Sequence, residues 1–232
     1  MTTETAPESG DTRFHVDVPN LFRPLPLAGD EAELDERLAT VAGELMPDAT
    51  DAWCRTWTDF GKTLVGALAQ ADTRYAGVCC VRDSDTGGVS PAALIVAVPQ
   101  LSFDDPRVAA AGIAQVLGKQ PGADARVLNL PCGPAAVVVR ERRLRLPDPA
   151  AMGFRAAVAA GGAGETGPAG NGEQVLPVQE AKLCVPHKPW QRLVLIALST
   201  PAIGDWEAYA RIFVRIGMSL RFGAAAVPAA AR

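Results

Sequence analysis

This chain has little excess charge, no long apolar run and few of the residues that carry chemistry. Across 232 residues its formal net charge is only −4, with acidic and basic residues interspersed. It therefore lacks the broad electropositive surface that would attract a phosphate backbone or an anionic membrane, which argues against a nucleic-acid partner. Its apolar segments fall far short of the roughly 20 residues that cross a hydrocarbon layer, which argues against membrane insertion. From Met1 to Glu8 it is polar and acidic, where a secretory signal has basic residues followed by an apolar core, so the expected location is the cytoplasm. Five cysteines, an odd number, fit reduced thiols better than a disulfide framework.

Familiar site motifs are also missing. There is no G-x-x-x-x-G-K-[ST] phosphate loop, no G-x-G-x-x-G following a strand, no G-x-S-x-G elbow and no H-E-x-x-H. The Gly-rich stretch 161–172 lacks the preceding strand and following helix that aim backbone amides at an anion. No cofactor is expected on these grounds.

What is present is core material. A hydrophobic content of 48% is ample for one domain of ordinary size. Residues 1–12 are polar and aperiodic and 223–232 are Ala-rich, so both ends read as loose tails around a domain spanning 13–222. Residues 147–173 read as a flexible Ala/Gly-rich insertion. An interdomain linker is the alternative, but only two strand-like runs and one helix follow it, too little for an independent core.

Between these segments the periodicity alternates in type. Phe14 to Pro19 alternates with period two and predicts an edge strand. Ala32, Leu34, Leu38, Val41, Ala42 and Leu45 trace a helix over 31–46, capped by Asp30 and stopped by Pro47. Trp53, Trp57, Phe60, Leu64, Ala67 and Leu68 trace a second over 51–70, with Thr50 or Asp51 as cap and these side chains toward the core. Strand patterns at 75–82 and 92–98 flank a turn-rich loop, and a third helix is predicted over 104–117. Two further hairpins follow, 125–130 with 135–144 around Pro131-Cys132-Gly133-Pro134, and 174–185 with 192–199 around Pro186-His187-Lys188-Pro189. A last helix places Trp206, Tyr209, Ala210, Phe213, Ile216, Gly217 and Leu220 at spacings of three and four. Hairpins imply antiparallel pairing, so the expected fold is α+β, a mostly antiparallel sheet covered by helices.

The closing pattern, an apolar strand ending Ser199-Thr200-Pro201 and then Trp206, Tyr209, Phe213, Ile216 and Ser219-Leu220-Arg221-Phe222, resembles the C-terminal portion of the PsbP, Mog1 and LpqN-like proteins. The opening Val16-Asp17-Val18-Pro19 and the Ala- and Arg-rich composition look like uncharacterised actinobacterial proteins of that superfamily. The resemblance implies an α/β/α sandwich and a binding or assembly role, and it brings no catalytic residues. LpqN-type members carry an export signal, from which the acidic start of this chain departs.

Candidate sites follow from the remaining polar and aromatic residues. Cys184 and His187 form a C-x-x-H spacing that supplies half a zinc site with no second half, so the thiols read as small buried groups and no metal is expected. The enzymatic alternative uses Cys184 or Cys132 as nucleophile with His187 or His15 as base. In the plainer reading His15 is an exposed strand position and His187 a solvent-facing turn residue. Arg140, Arg142 and Arg143 form a basic cluster at a strand end, able to meet an acidic partner or phosphate, or else a solvated face that discourages edge pairing. Trp53, Trp57, Trp206 and Tyr209 are core by spacing, or a partner-binding patch where they remain exposed. The expectation is a non-catalytic protein-binding or assembly factor, with a homo-oligomer compatible with the same residues.

Overall fold

The computed structural model describes residues 14–82, 88–147 and 173–223. The elements, in chain order, are β1 (Phe14–His15), β2 (Arg23–Pro24), α1 (Glu31–Leu45), α2 (Asp51–Gln70), β3 (Thr73–Arg82), β4 (Val89–Ala97), α3 (Pro106–Gly118) and β5 (Ala123–Leu130). They continue with β6 (Gly133–Pro147), β7 (Glu173–His187), β8 (Arg192–Thr200), α4 (Trp206–Ser219) and β9 (Arg221–Phe222). The protein is α+β, built on a seven-stranded antiparallel sheet in the order β2-β3-β4-β8-β7-β6-β5.

β8 explains the layering. Every position from Leu193 to Leu198 is apolar, which suits a strand covered on both faces. Alternation sends Val194, Ile196 and Leu198 to one face, where they join Leu94, Val96 and Leu183 beneath Tyr209, Phe213 and Ile216 of α4. Leu193 and Leu195 point the other way, to Cys184 and Ala136 under Ala114 of α3. On that same second face α1 and α2 cover Ala76 and Ile95 through Leu38, Val41 and Leu68. Among the described residues one helix thus covers the first face and three cover the second.

The helix ends follow their capping chemistry. Asp30 and Asp105 accept from the first-turn amides of α1 and α3, and Thr50 does so for α2. Pro106 occupies the first turn of α3, where a missing N–H costs nothing. β8 is tied to α4 by Thr200, a fully buried hydroxyl that donates to Pro91 O at 2.6 Å and accepts from Ala202 N at 3.0 Å. That side chain caps the sheet at the point where the chain turns into the helix.

Several local expectations are corrected. The strand predicted over Phe14 to Pro19 shrinks to β1, which pairs with β9 as a separate two-stranded ribbon through Phe14–Phe222 and His15–Arg221. After it Asp17 N donates to Ser219 Oγ, so a side chain replaces the ladder. β2 had no periodic signal, since two residues carry none. In α2 the buried line is Thr58, Gly61, Val65 and Leu68, while Phe60 is 42% exposed. Gly61 is the reason, because its missing side chain lets Leu38 of α1 approach to 3.0 Å from where a Cβ would stand. The 147–173 insertion lies largely outside the described residues, and Pro147 and Glu173 at its borders pair with each other at the ends of β6 and β7.

Thr200→Val keeps shape but removes both hydrogen bonds, orphaning the Pro91 carbonyl and the Ala202 amide. We expect a loss of about 1–3 kcal/mol, measured by denaturant unfolding against wild type.

Candidate functional site

An apolar cleft lies on the second face, beside α3. From the end of β4 the chain runs through Leu101, Ser102 and Phe103 before entering α3, and this loop forms one wall of a cleft of about 530 Å³. Ile113, Val116 and Leu117 of α3 form the opposite wall, and Lys182, Cys184, Leu193 and Leu195 form the floor. The volume falls within the range of small-ligand and side-chain pockets.

Gln191 holds the loop wall. It takes a left-handed backbone conformation at φ 50° between β7 and β8, after a 3-10 turn at Lys188–Trp190. Its side chain accepts from Phe103 N at 3.0 Å and donates to Phe103 O at 3.1 Å, reading that residue's backbone like a neighbouring strand. Leu101 N donates to Gln191 O, Leu193 N donates to Pro99 O, and Arg192 donates to Val98 O at 2.9 Å. The cleft wall is therefore stitched to the start of β8.

α3 itself is unusual for an outer-layer helix. Between Arg107 and Lys119 it carries no charged residue. Its inner side buries Ala110 and Ala114, while Val108 is 69% and Val116 64% exposed. A helix apolar all round is ordinarily buried on all sides. α2, on the same face of the sheet, adds Trp53 and Trp57, half-buried with ring centroids 6.4 Å apart, and the exposed Phe60.

At the floor Lys182 belongs to an ion cluster. Glu180 is almost enclosed and accepts from Arg140 Nε at 2.7 Å, with Lys182 Nζ at 3.2 Å and Arg142 Nη1 at 3.8 Å. Arg140 also donates to Gln120 Oε1 at the end of α3. Burial by itself would push the Glu180 carboxyl up, but the Arg140 hydrogen bond and the Lys182 charge together hold it below the ordinary carboxylate range. Arg140 is thus committed to a cross-strand partner, Arg142 only partly, and Arg143 stands exposed on the opposite side of β6.

The other sequence candidates are dispersed. Tyr209 is buried, donating to Ser90 O at 2.8 Å and lying 3.9 Å from Cys79 Sγ, so it faces the core and no partner. Burial pushes its hydroxyl pKa up. Trp206 packs half-buried against the same core. Cys184 and His187, three apart on β7, project to opposite faces of the sheet. Cys184 sits with Ala114 and Ala136, and burial pushes its thiol up to about 11, opposite to what a nucleophile needs. Cys79 is likewise pushed up to about 11, and Cys132 is raised by burial. His15 is exposed and bonds Asp17 Oδ1 at 2.6 Å. Among the described residues no group of three or more His, Cys, Asp or Glu is placed to hold a metal.

His187 is corrected from a solvent-facing turn residue to a half-buried one. Its ring stacks on Phe222 with centroids 3.9 Å apart and packs tilted at 55° against Trp190 at 4.0 Å, closing the ribbon of β1 and β9 over the end of β7. Sequence reasoning missed it because Phe222 is remote in the chain. It also missed Gln191, Glu180, Val108 and Val116; for the two valines the uncharged run of α3 was the available signal.

No protein-family model matches this chain, and no curated protein is significantly similar to it. No helix among the described residues is long and apolar enough to cross a membrane.

Burial lowers the His187 pKa from its ordinary 6.5. The folded state therefore holds the neutral ring where the unfolded chain takes up a proton. The associated stability is complete above about 6.5 and is lost as pH falls below it. In His187→Phe the fall in melting temperature between neutral and mildly acidic pH becomes shallower than in wild type, a comparison made by calorimetry. Separately, Gln191→Ala removes both bonds to Phe103 and should cost about 1–2 kcal/mol, with faster amide exchange confined to the loop around 101–103.

Proposed function

We propose that this protein is a non-catalytic protein-binding or assembly factor that works in the cytoplasm and engages its partner through the sheet face bearing α2 and α3. The observation that carries the reading is α3, an outer helix whose exposed Val108 and Val116 border an apolar cleft. Large apolar patches next to a concavity are characteristic of protein interaction sites. Apolar side chains of a partner fit the chemistry of the cleft, and Trp53, Trp57 and Phe60 add aromatic area of the kind that dominates interface energetics. Arg142, exposed on that face of β6, suits a polar rim, whereas Arg143 projects to the other face.

The resemblance of the closing strand and aromatic helix to the PsbP, Mog1 and LpqN-like proteins agrees with this reading. A thiol enzyme is disfavoured by the separation of Cys184 from His187 and by the raised thiol pKa values.

Affinity capture from the native host, read by quantitative mass spectrometry, tests the proposal. Val108→Asp with Val116→Asp changes only exposed positions, so stability should move by less than about 0.5 kcal/mol each. Binding of any authentic partner should fall at least roughly tenfold, as expected for loss of an interface centre. Trp53→Ala with Trp57→Ala should weaken it further. A reproducible partner retained equally by wild type and the valine variant would sink the assignment, as would the absence of any reproducible partner.

A further inference from the structure

The two edges of the sheet are built differently. At one edge β2 pairs with β3 over only Arg23 and Pro24, a short strand that a proline blunts against further pairing. At the other edge β5 runs from Ala123 to Leu130 in unbroken register with β6, contains no proline, and has no strand on its outer side among the described residues. Val127 is 46% and Leu128 42% exposed. A long open edge with apolar side chains is a template for another strand.

We propose that this edge pairs with the same edge of a second copy of the chain, β5 antiparallel to β5 about a two-fold axis through Ala125. The charges of the strand favour that register over its neighbours on either side, and among axes within the strand it is the one that sets opposite charges face to face. Asp124 and Arg126 lie on one face of β5, joined at 2.8 Å and 3.2 Å, and both are well exposed. Pairing about Ala125 sets Asp124 of each copy opposite Arg126 of the other, turning two separate ion pairs into a ring of four alternating charges. Pairing about Asp124 sets two carboxylates face to face, and pairing about Arg126 sets two guanidiniums face to face. Both are disfavoured, because like charges directly opposite destabilise a sheet. Axes midway between residues are excluded, because residues opposite each other must project to the same face while neighbours project to opposite faces.

The second face is complementary in the same register. Val127 meets Ala123 of the other copy, a large side chain against a small one. Gly118, at the end of α3, lies directly over Ala125, where an added Cβ would stand 3.0 Å from the alanine methyl. The axis therefore brings the C-terminal ends of the two α3 helices alongside each other, adding helix area to the strand contact. The contact rests on the strand edge and its charges and not on the cleft, so its test is separate from that of the partner-binding reading.

Sedimentation velocity of the full chain over a wide concentration range tests the proposal. Wild type should show a concentration-dependent dimer. Arg126→Asp places four carboxylates at the axis and Asp124→Arg places four guanidiniums there, so each should weaken dimerisation at least tenfold, with circular dichroism confirming the fold. Combining Asp124→Arg with Arg126→Asp recreates the alternating ring and should restore the dimer, and this variant keeps the composition should either single change fail to fold. A wild-type chain that stays monomeric throughout, a dimer indifferent to the single reversals, or a combined variant that stays monomeric would each overturn the proposal.

Discussion

The structure depends on a central pair of strands, β4 and β8, being buried on both faces. Their register, Leu94 opposite Leu198 and Val96 opposite Ile196, fixes which side chains meet α4 and which meet the other helices. A slip by one residue would exchange the two sets and set Leu193 and Leu195 against an aromatic layer built for others. Thr200 secures this register from one end through the Pro91 carbonyl, and Arg192 secures it from the other through Val98 O. Everything placed outward from this pair, including the cleft wall held by Gln191, inherits its position from that alignment.

The same alternation separates the chemistry. The chain has only two histidines and five cysteines. His187 is drawn toward Phe222 on the α4 side, while Cys184 is drawn under α3. Cys79 lies on the α4 side beside Tyr209, and Cys80 on the opposite side 3.8 Å from Met46 Sδ. Cys79 and Cys184, buried in different cores, are packing groups whose burial disfavours the reactive thiolate. The polar residues that do converge, around Glu180, converge to neutralise one another's burial. Three cations about one carboxylate form a structural clasp between β6, β7 and the end of α3. Breaking such a clasp by removing one partner is costly, although its net contribution against an apolar alternative is small.

Helices were legible wherever their signals were local. Asp30 and Thr50 mark starts that any sequence window contains, and the stripe Tyr209, Phe213, Ile216 and Leu220 identifies the buried side of α4 without further information. The hairpins were legible for the same reason. What the sequence hides is set by partners far along the chain. The buried side of α2 is rotated because Gly61 accommodates Leu38, and periodicity cannot weigh a close approach. β1 and β9 are two residues each, and their pairing spans nearly the whole chain. Arg140 looked like a free surface cation because its carboxylate is 40 residues away. The cleft was hidden altogether, since Leu101, Ile113 and Leu195 come from separate elements.

The distribution of exposed apolar surface completes the argument. On the α4 side the outward positions combine the Glu207–Arg211 pair at 2.9 Å with the exposed Val214 and Met218, scattered beside a well-filled core. On the other side α3 carries no charge after Arg107, α2 shows aromatic rings, and β5 leaves its outer edge unpaired by any described strand. These features need not share one explanation. A strand edge is satisfied by backbone hydrogen bonds and demands an extended partner, whereas an apolar helix beside a cleft is satisfied by side chains and tolerates many backbone shapes. The charge pattern of β5 is self-complementary about a point within the strand, which only a two-fold copy exploits. α3 has no charge pattern of its own to read. A chain that closes its open edge with itself therefore still presents α3 and α2 to a different molecule, once per subunit and in a fixed mutual orientation.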